Sequence, residues 1–235
     1  MSSHPVSLFI GTVRLLPGSS RATGMFKAPV ATPVAVGSEG FAGDQQADRQ
    51  VHGGPEKAVH LYPAEHYARL AARFPDAAPA LVPGSLGENI SCQGLSEADV
   101  CLGDVFTLGS VRLQLSQPRS PCWKIDTRFD CDGMAAFIAE SSLTGWYFRV
   151  LQAGTAGPGD RLALADRVAG SPTLAEAMSV WRAHRPALAD LERIAAAPAL
   201  APGWRRKIED RAAWLHQQPA GNPPAPPLVH ARPKD

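Results

Sequence analysis

A chain of 235 residues with a formal net charge of +1 and 45% hydrophobic content has material for one large domain, or one domain and an appendage, around a real core. The near-neutral balance gives no reason to expect a nucleic-acid polymer or an acidic membrane as partner, and no run approaches the roughly 20 apolar residues of a membrane span. Met1-Ser2-Ser3-His4-Pro5 lacks a secretory leader's basic start and long apolar centre, and Cys92, Cys101, Cys122 and Cys131 form no CxxC pair or zinc-ribbon spacing, so a cytoplasmic protein with free thiols is expected.

Residues 6–16, rich in β-branched and large apolar side chains and ending at Pro17-Gly18, predict a strand and turn. Residues 30–36 predict a short strand that Pro29 and Pro33 place at an edge or beside a bulge. Residues 38–55 are polar and glycine-punctuated and predict a long loop. It carries Asp44, Arg49, His52 and Gly53-Gly54, and a loop of that size costs entropy to order without a purpose. The paired glycines let backbone approach a ligand closely. A strand over 57–62 follows. Pro63 then opens the first turn of a helix over 65–74, with Tyr67, Leu70, Ala71 and Phe74 inward. His60 and His66 leave different elements, which argues against a two-histidine metal site. Residues 84–90 form another glycine-flanked polar turn. Strands over 100–108 and 111–116 meet at Gly109-Ser110, and a helix over 132–142 has Asp132 as its N-cap. Strands over 146–152 and 161–167 complete this part.

The texture changes at Gly170-Ser171-Pro172-Thr173. Thr173 and Glu176 have the spacing of a capping box, and helices are predicted over 174–184, 186–196 and 202–217, anchored by Trp181, Trp204 and Trp214. The expected organisation is a β domain over 1–168, a helical extension over 171–217 and a disordered Pro-rich tail over 218–235. Short strands punctuated by Gly and Pro favour a barrel or sandwich. There is no βαβ rhythm, no GxGxxG and no Walker A pattern, which disfavours nucleotide-binding folds.

The stretch most loaded with chemistry is Ser116-Gln117-Pro118-Arg119-Ser120-Pro121-Cys122-Trp123-Lys124. Its prolines predict a stiff loop, and Arg119 and Lys124 beside Cys122 favour the thiolate, the form that attacks or binds a soft metal. The plain reading is a small packed cysteine in a turn. Loops 39–55, 84–90 and 116–124 together offer Cys122, the cations Arg49, Lys57, Arg119 and Lys124, the acids Asp44 and Glu88, the neutral Asn89, Gln117 and Ser120, and His52. That set suits an anionic ligand with amide-like edges. A protease-like grouping of Cys122 with His52 or His60 and Asn89 has no local signature behind it, and HExxH is absent. A soft thiolate ligand points to copper, zinc, iron–sulfur or a similarly soft centre, whose other ligands a cofactor must supply.

The run Glu39-Gly40-Phe41-Ala42-Gly43-Asp44-Gln45-Gln46-Ala47-Asp48, then Val51-His52-Gly53-Gly54-Pro55-Glu56-Lys57 through Pro63, Gly87-Glu88-Asn89-Ile90, Gly103-Asp104 and Gln117 to Lys124 resemble the MOSC family, the type of C-terminal domain found in molybdenum cofactor sulfurases. The likeness is to its bacterial YiiM branch. It spans about residues 6–168, and the helices at 171–217 are similar to that branch's C-terminal extension. The resemblance implies a mainly β fold with α: a MOSC-type β-barrel with flanking helices, then a small helical extension. It also implies a pyranopterin molybdenum cofactor with Cys122 as metal ligand and two further sulfurs from the cofactor's dithiolene. The implied activity is reduction of N-hydroxylated substrates, such as N-hydroxylated purine base analogues, to the amine. That is a detoxification role, with electrons from a separate reductase, in a homodimer. Arg119, Ser120 and Lys124 are placed by proximity to hold the cofactor phosphate or pterin. Arg49, His52, Lys57, Asn89 and Gln117 are loop candidates for cofactor or substrate, and Asp44 is a proton donor or a loop cap. A carrier of the cofactor or of sulfur, without turnover, and a binding module with an incidental cysteine are the other classes in play.

Overall fold

The computed structural model describes residues 3–218, 221 and 223–232. In chain order the strands are β1 (Ser3–Ile10), β2 (Arg14–Leu15), β3 (Ala22–Thr23), β4 (Ala28–Pro29), β5 (Val34–Gly37), β6 (Gly40–Phe41), β7 (Val59–Pro63), β8 (Ile90–Cys92), β9 (Val105–Leu108), β10 (Val111–Pro118), β11 (Trp146–Gln152), β12 (Gly154–Ala156) and β13 (Arg161–Asp166). The helices are α1 (Arg49–His52), α2 (His66–Arg73), α3 (Lys124–Phe129), α4 (Met134–Glu140), α5 (Leu174–Arg182), α6 (Leu188–Ala195) and α7 (Pro202–Gln217).

Seven strands in the order β13-β9-β10-β11-β7-β8-β1 close on themselves where Ser3 pairs with Ala163 and Pro5 with Arg161, so the expected barrel is present. Closure leaves these strands no open edge. Alternation drives it. In β10, Val111, Leu113 and Leu115 turn inward while Arg112 and Gln114 stay half-exposed. Leu61, Ile90, Phe106, Trp146, Phe148 and Leu162 fill the interior. A register shift between Leu115 and Gln117 breaks the alternation, and the end of β10 is buried residue after residue as it runs into the Cys122 loop.

A second cluster of Tyr62, Tyr67, Leu70, Phe74, Ile125, Met134 and Ile138 packs α2, α3 and α4 together. The C-terminal helices share the barrel's own cluster through Leu174, Trp181, Leu191, Trp204 and Ile208. The Trp181 and Trp204 rings lie 5.2 Å apart. The capping box is present: the Glu176 amide donates to Thr173 Oγ1 at 3.1 Å and the Thr173 amide to Glu176 Oε2 at 2.8 Å. Among the described residues no helix is long and apolar enough to cross a membrane, and all four cysteines are unpaired.

Several local expectations are corrected. The strand over 6–16 breaks at Gly11, where a Cβ would sit 2.2 Å from Phe26 O, and of the strand over 30–36 only the end forms, in β5 from Val34. Pro63 ends β7 instead of opening α2. The strand over 100–108 shortens to β9 because Gly103 takes φ 88° and the Asp104 carboxylate accepts the Cys101 amide at 2.8 Å. Asp132 caps nothing. Gly133 is the N-cap of α4, and the Asp126 carboxylate takes the amides of Gly133 (3.1 Å) and Ala135 (2.7 Å). Short helix α1 occupies a stretch expected to be loop, and α3 starts at the last residue of the expected 116–124 loop and runs on where no element was expected. Residues 223–232 were expected to be disordered. Of these, residues 228–232 lie along the Cys122 loop through His230 and Arg232, with Leu228 packed on the main cluster. Positions 219, 220, 222 and 233–235 of that tail lie outside the described residues.

Candidate functional site

The three polar loops converge, with the turn at 23–27, on one cleft of about 620 Å³ counted with its open mouth. Cys122, Arg119, Lys124, Asn89, His52, Lys57 and Asp44 all line it. Gln117 and Ser120 do not. They line a neighbouring pocket that shares Lys57 and Tyr147 with the cleft. Arg49 does not reach the cleft either; it pairs with Glu39 on the exposed surface. Glu88 is fully buried away from the cleft, accepting from Tyr67 Oη and the Gly84 amide, each at 2.6 Å, so it braces its own turn.

Cys122 is buried at the end of its loop, immediately before α3. The Arg119 amide ties the loop to Gly145 O at 3.1 Å, and the Ile125 amide reaches Cys122 O at 2.9 Å. Burial pushes the thiol above its ordinary range; a hydrogen bond from the Lys124 amide and the charges of Arg119 and Lys124 only partly offset it. This corrects the expectation that neighbouring cations make a free thiolate. Desolvation is the larger effect, so the protonated thiol is favoured over the thiolate.

Asp44 is an acid on an otherwise cationic wall, and Lys27 neutralises it with contacts of 2.5 and 2.6 Å between side chains 4% and 2% exposed. Asp44 also accepts from the Gly11 amide (2.9 Å) and from Asn89 Nδ2 (3.0 Å). Its oxygens are engaged as acceptors, which is the arrangement of a loop anchor. Burial lowers the Lys27 ammonium, with Asp44 holding it up. Asn89 is committed to structure as well: Oδ1 accepts from the His60 amide at 3.1 Å, and Nδ2 reaches Phe9 O at 3.2 Å. Lys124 Nζ donates to Ala22 O at 2.7 Å.

Two polar atoms of the cleft residues are buried without a partner among the described residues: Arg119 Nη1 and His60 Nε2. Orphaned groups at a pocket wall are where ligand atoms are expected. His52 is depressed to about 3, first by burial and then by Arg119, His230, Lys124 and Lys57. His60 is held well below its ordinary range by burial, then by Arg119 and Lys27. Both are therefore neutral at pH 7, and their depression registers how positive the cleft is. Neither imidazole hydrogen-bonds the Cys122 sulfur among the described residues, so the protease-like grouping is a shared cleft without a dyad.

Among the described residues no three His, Cys, Asp or Glu side chains gather as a metal site. His66, on α2, is paired with Glu97 at 2.8 Å. One protein sulfur, four lysine or arginine side chains and two orphaned buried nitrogens fit a metal whose remaining ligands arrive on an anionic organic cofactor. Lys27, Tyr147 and the 23–25 turn were missed from sequence. The signal for Lys27 was Asp44: a carboxylate on a loop that folds inward needs a cation, and Lys27 follows the 23–25 turn that lines the same cleft. Gly24 permits that turn, since a Cβ there would lie 2.3 Å from Gln45 O.

Comparison with known proteins places this geometry. The MOSC domain model matches residues 48–163, and the model of the YiiM-like, 3-alpha helix domain matches residues 172–213. Protein YiiM of Escherichia coli (strain K12) is 34% identical over 209 residues, covering 88% of this chain and 92% of that protein. The crystal structure of YiiM from Escherichia coli matches with a TM-score of 0.77 at 29% identity, over 91% of this chain and 94% of that one. A protein named Reductase from Gibberella moniliformis (strain M3125 / FGSC 7600) is 34% identical over 151 residues, 64% of this chain and 27% of that protein. With a MOSC barrel that carries its cysteine at the cleft and a three-helix domain behind it, the chain belongs to the MOSC-domain family, in its YiiM-like branch.

Proposed function

We propose that the protein is a molybdenum cofactor-dependent oxidoreductase that reduces N-hydroxylated compounds, such as N-hydroxylated purine base analogues, to the amine. In this reading it acts in detoxification, as a cytoplasmic homodimer fed by a separate reductase. The observation that carries the reading is Cys122, a buried sulfur in a cleft lined by Lys27, Lys57, Arg119 and Lys124, with Arg119 Nη1 and His60 Nε2 left unpartnered. A relative named Reductase supports redox chemistry in the family.

Cys122 would hold the metal, and Arg119, Lys124 and Lys57 would hold the cofactor's negative charge. When bound, the cofactor supplies two-electron removal of oxygen from an N–OH group. The balance is R–NHOH + 2e⁻ + 2H⁺ → R–NH₂ + H₂O, so the cleft must also deliver two protons. His52 and His60 are neutral imidazoles at pH 7, so they would not supply these protons from their own N–H groups; they would orient the N–OH group by hydrogen bonds and relay protons that come from solvent. Asp44, salt-bridged and saturated with donors, keeps the loop in place instead.

The test is metal analysis and pterin fluorescence on wild type and Cys122→Ser from a host that makes molybdenum cofactor. About one molybdenum per chain in wild type and none in the folded variant supports the reading. Normal molybdenum content in Cys122→Ser overturns the ligand assignment. Molybdenum bound without turnover of any N-hydroxylated compound supports a carrier role in place of the enzyme.

A further inference from the structure

Few groups lining the cleft are able to give a proton at pH 7. Asp44 is a salt-bridged acceptor, and His52 and His60 are neutral. The His60 ring N–H is committed as well, since it donates to the Gly87 carbonyl. Lys27 is held by Asp44 and Lys124 by Ala22 O, and a lysine that gave up its proton would give up the charge that holds an anionic cofactor. The remaining acid of the lining is the Tyr147 phenol.

Tyr147 lies on β11, where it pairs with Gln117 of β10 on one side and His60 of β7 on the other. Its neighbours Trp146 and Phe148 are in the barrel interior, so the alternation of the strand turns Tyr147 to the opposite face, onto the cleft, where it is 7% exposed. Ser116 Oγ is in reach of its carbonyl at 3.1 Å, and its ring packs beside that of His60 with centroids 5.2 Å apart. A side chain on a middle strand of a closed barrel is held more precisely than one on a loop.

The surroundings suit a proton donor. Burial pushes the phenol above its ordinary range, so it keeps its proton at pH 7. The Arg119 guanidinium opposes this, by its charge and by a hydrogen bond to the phenol oxygen. Arginine has no acceptor to offer, so that bond fills a lone pair of the oxygen and leaves the phenol hydrogen for the cleft. The same guanidinium stabilises the phenolate once the proton has gone. Cys122 is in electrostatic reach of the phenol, so donor and sulfur serve the same part of the cleft.

We propose that Tyr147 is the proton donor of the reaction, giving its phenol hydrogen to the substrate nitrogen as the N–O bond breaks. This rests on the reading of the protein as a reductase of N-hydroxylated compounds. The step is R–NHOH + 2e⁻ + Tyr147–OH → R–NH₂ + HO⁻ + Tyr147–O⁻, with the two electrons that the separate reductase supplies. Two protons from solvent then restore the phenol and turn hydroxide into water.

The experiment compares wild type with Tyr147→Phe, both as full chains from a host that makes molybdenum cofactor. Molybdenum per chain is measured first, then turnover of an N-hydroxylated purine with reduced methyl viologen in place of the reductase. The kcat is expected to fall about a hundredfold or more, the ordinary worth of a general acid, with KM and molybdenum content unchanged. An unchanged kcat overturns the proposal. A molybdenum content that falls with kcat makes Tyr147 a cofactor-holding residue and overturns it too. No turnover by molybdenum-loaded wild type overturns the reductase reading and the proposal together, whereas turnover by wild type with an equal kcat in the variant overturns the proposal alone.

A second measurement needs no cofactor. The chain has three tyrosines, and burial raises Tyr147 while it holds Tyr62 and Tyr67 well above their ordinary range. In alkaline titration of the cofactor-free proteins, the first tyrosinate absorbance of wild type should therefore belong to Tyr147 and be missing from Tyr147→Phe. A first step with the same midpoint in both proteins would show that Arg119 does not favour this phenolate, and overturns the proposal.

Discussion

His230 pairs with Cys122 in the manner of a neighbouring parallel strand: the His230 amide donates to Pro121 O at 2.8 Å, and its carbonyl accepts from the Trp123 amide at 3.2 Å. The cysteine is thus clasped between two main-chain bonds from the far end of the chain. Arg232 lies over the Trp123 ring at 5.2 Å, and Leu228 packs on the core, so the clasp is anchored on both sides.

His230→Pro removes the donor to Pro121 and costs about 1–2 kcal/mol of stability. The loosened loop should expose its thiol, so iodoacetamide should modify Cys122 severalfold faster than in wild type, read by mass spectrometry of the tryptic peptide. An unchanged rate at Cys122 would mean that the loop is rigid without the segment.

That segment also shows where reading the sequence stops. Its proline, alanine and glycine content is that of a disordered tail, and nothing local says that residues 228–232 have a docking site on the Cys122 loop. The same limit hid Lys27. Its role exists only because β1, the 44–47 loop and the 87–89 turn meet in space. Where the information was local, the reading held: the strand over 111–116, the strand over 146–152, the capping box at Thr173 and the helix over 202–217 all stand. The Cys122 loop was legible as chemistry from its prolines, cations and thiol. Its protonation was not, because burial outweighs the neighbouring charge and burial is not written in nine residues.

The Lys27–Asp44 pair should behave as a buried ion pair whose halves cannot be removed singly. Lys27→Met leaves Asp44 charged, nearly solvent-free and dependent on the Gly11 and Asn89 donors, at a cost of about 3–5 kcal/mol. Adding Asp44→Asn should return part of that loss, because the orphaned charge is gone. Urea denaturation of the two single variants and the double variant measures the coupling. Additive losses would mean that the two side chains do not stabilise each other.

Thr173→Ala isolates the start of the helical extension. It removes the acceptor for the Glu176 amide, while the reciprocal bond to the Thr173 amide stays possible. The expected loss is about 1 kcal/mol, with Asp or Ser at the same position restoring most of it. The measurement is the denaturation midpoint. Equal losses for Ala and Ser would place the effect in packing of the Thr173 methyl group instead of in the cap.

Stability without cofactor should fall on acidification earlier than carboxylate protonation alone would cause. His52 protonates at about 3 in the folded protein, and His60 well below its ordinary value, because burial and the cleft cations oppose a further positive charge. Once unfolded, both take up protons near pH 6.5. Below that pH the unfolded state binds more protons than the folded one, so stability drops as pH falls from about 6.5. For His52 the drop levels off only near pH 3, where the folded state protonates too. Between pH 7 and pH 5 each histidine contributes a loss of at most about 2 kcal/mol. His52→Gln removes one of them, so its urea midpoint should change less between these two pH values than that of wild type. An identical pH dependence in the variant would show that His52 titrates alike folded and unfolded, and that the cleft is far less positive than its lining of lysines and arginine implies.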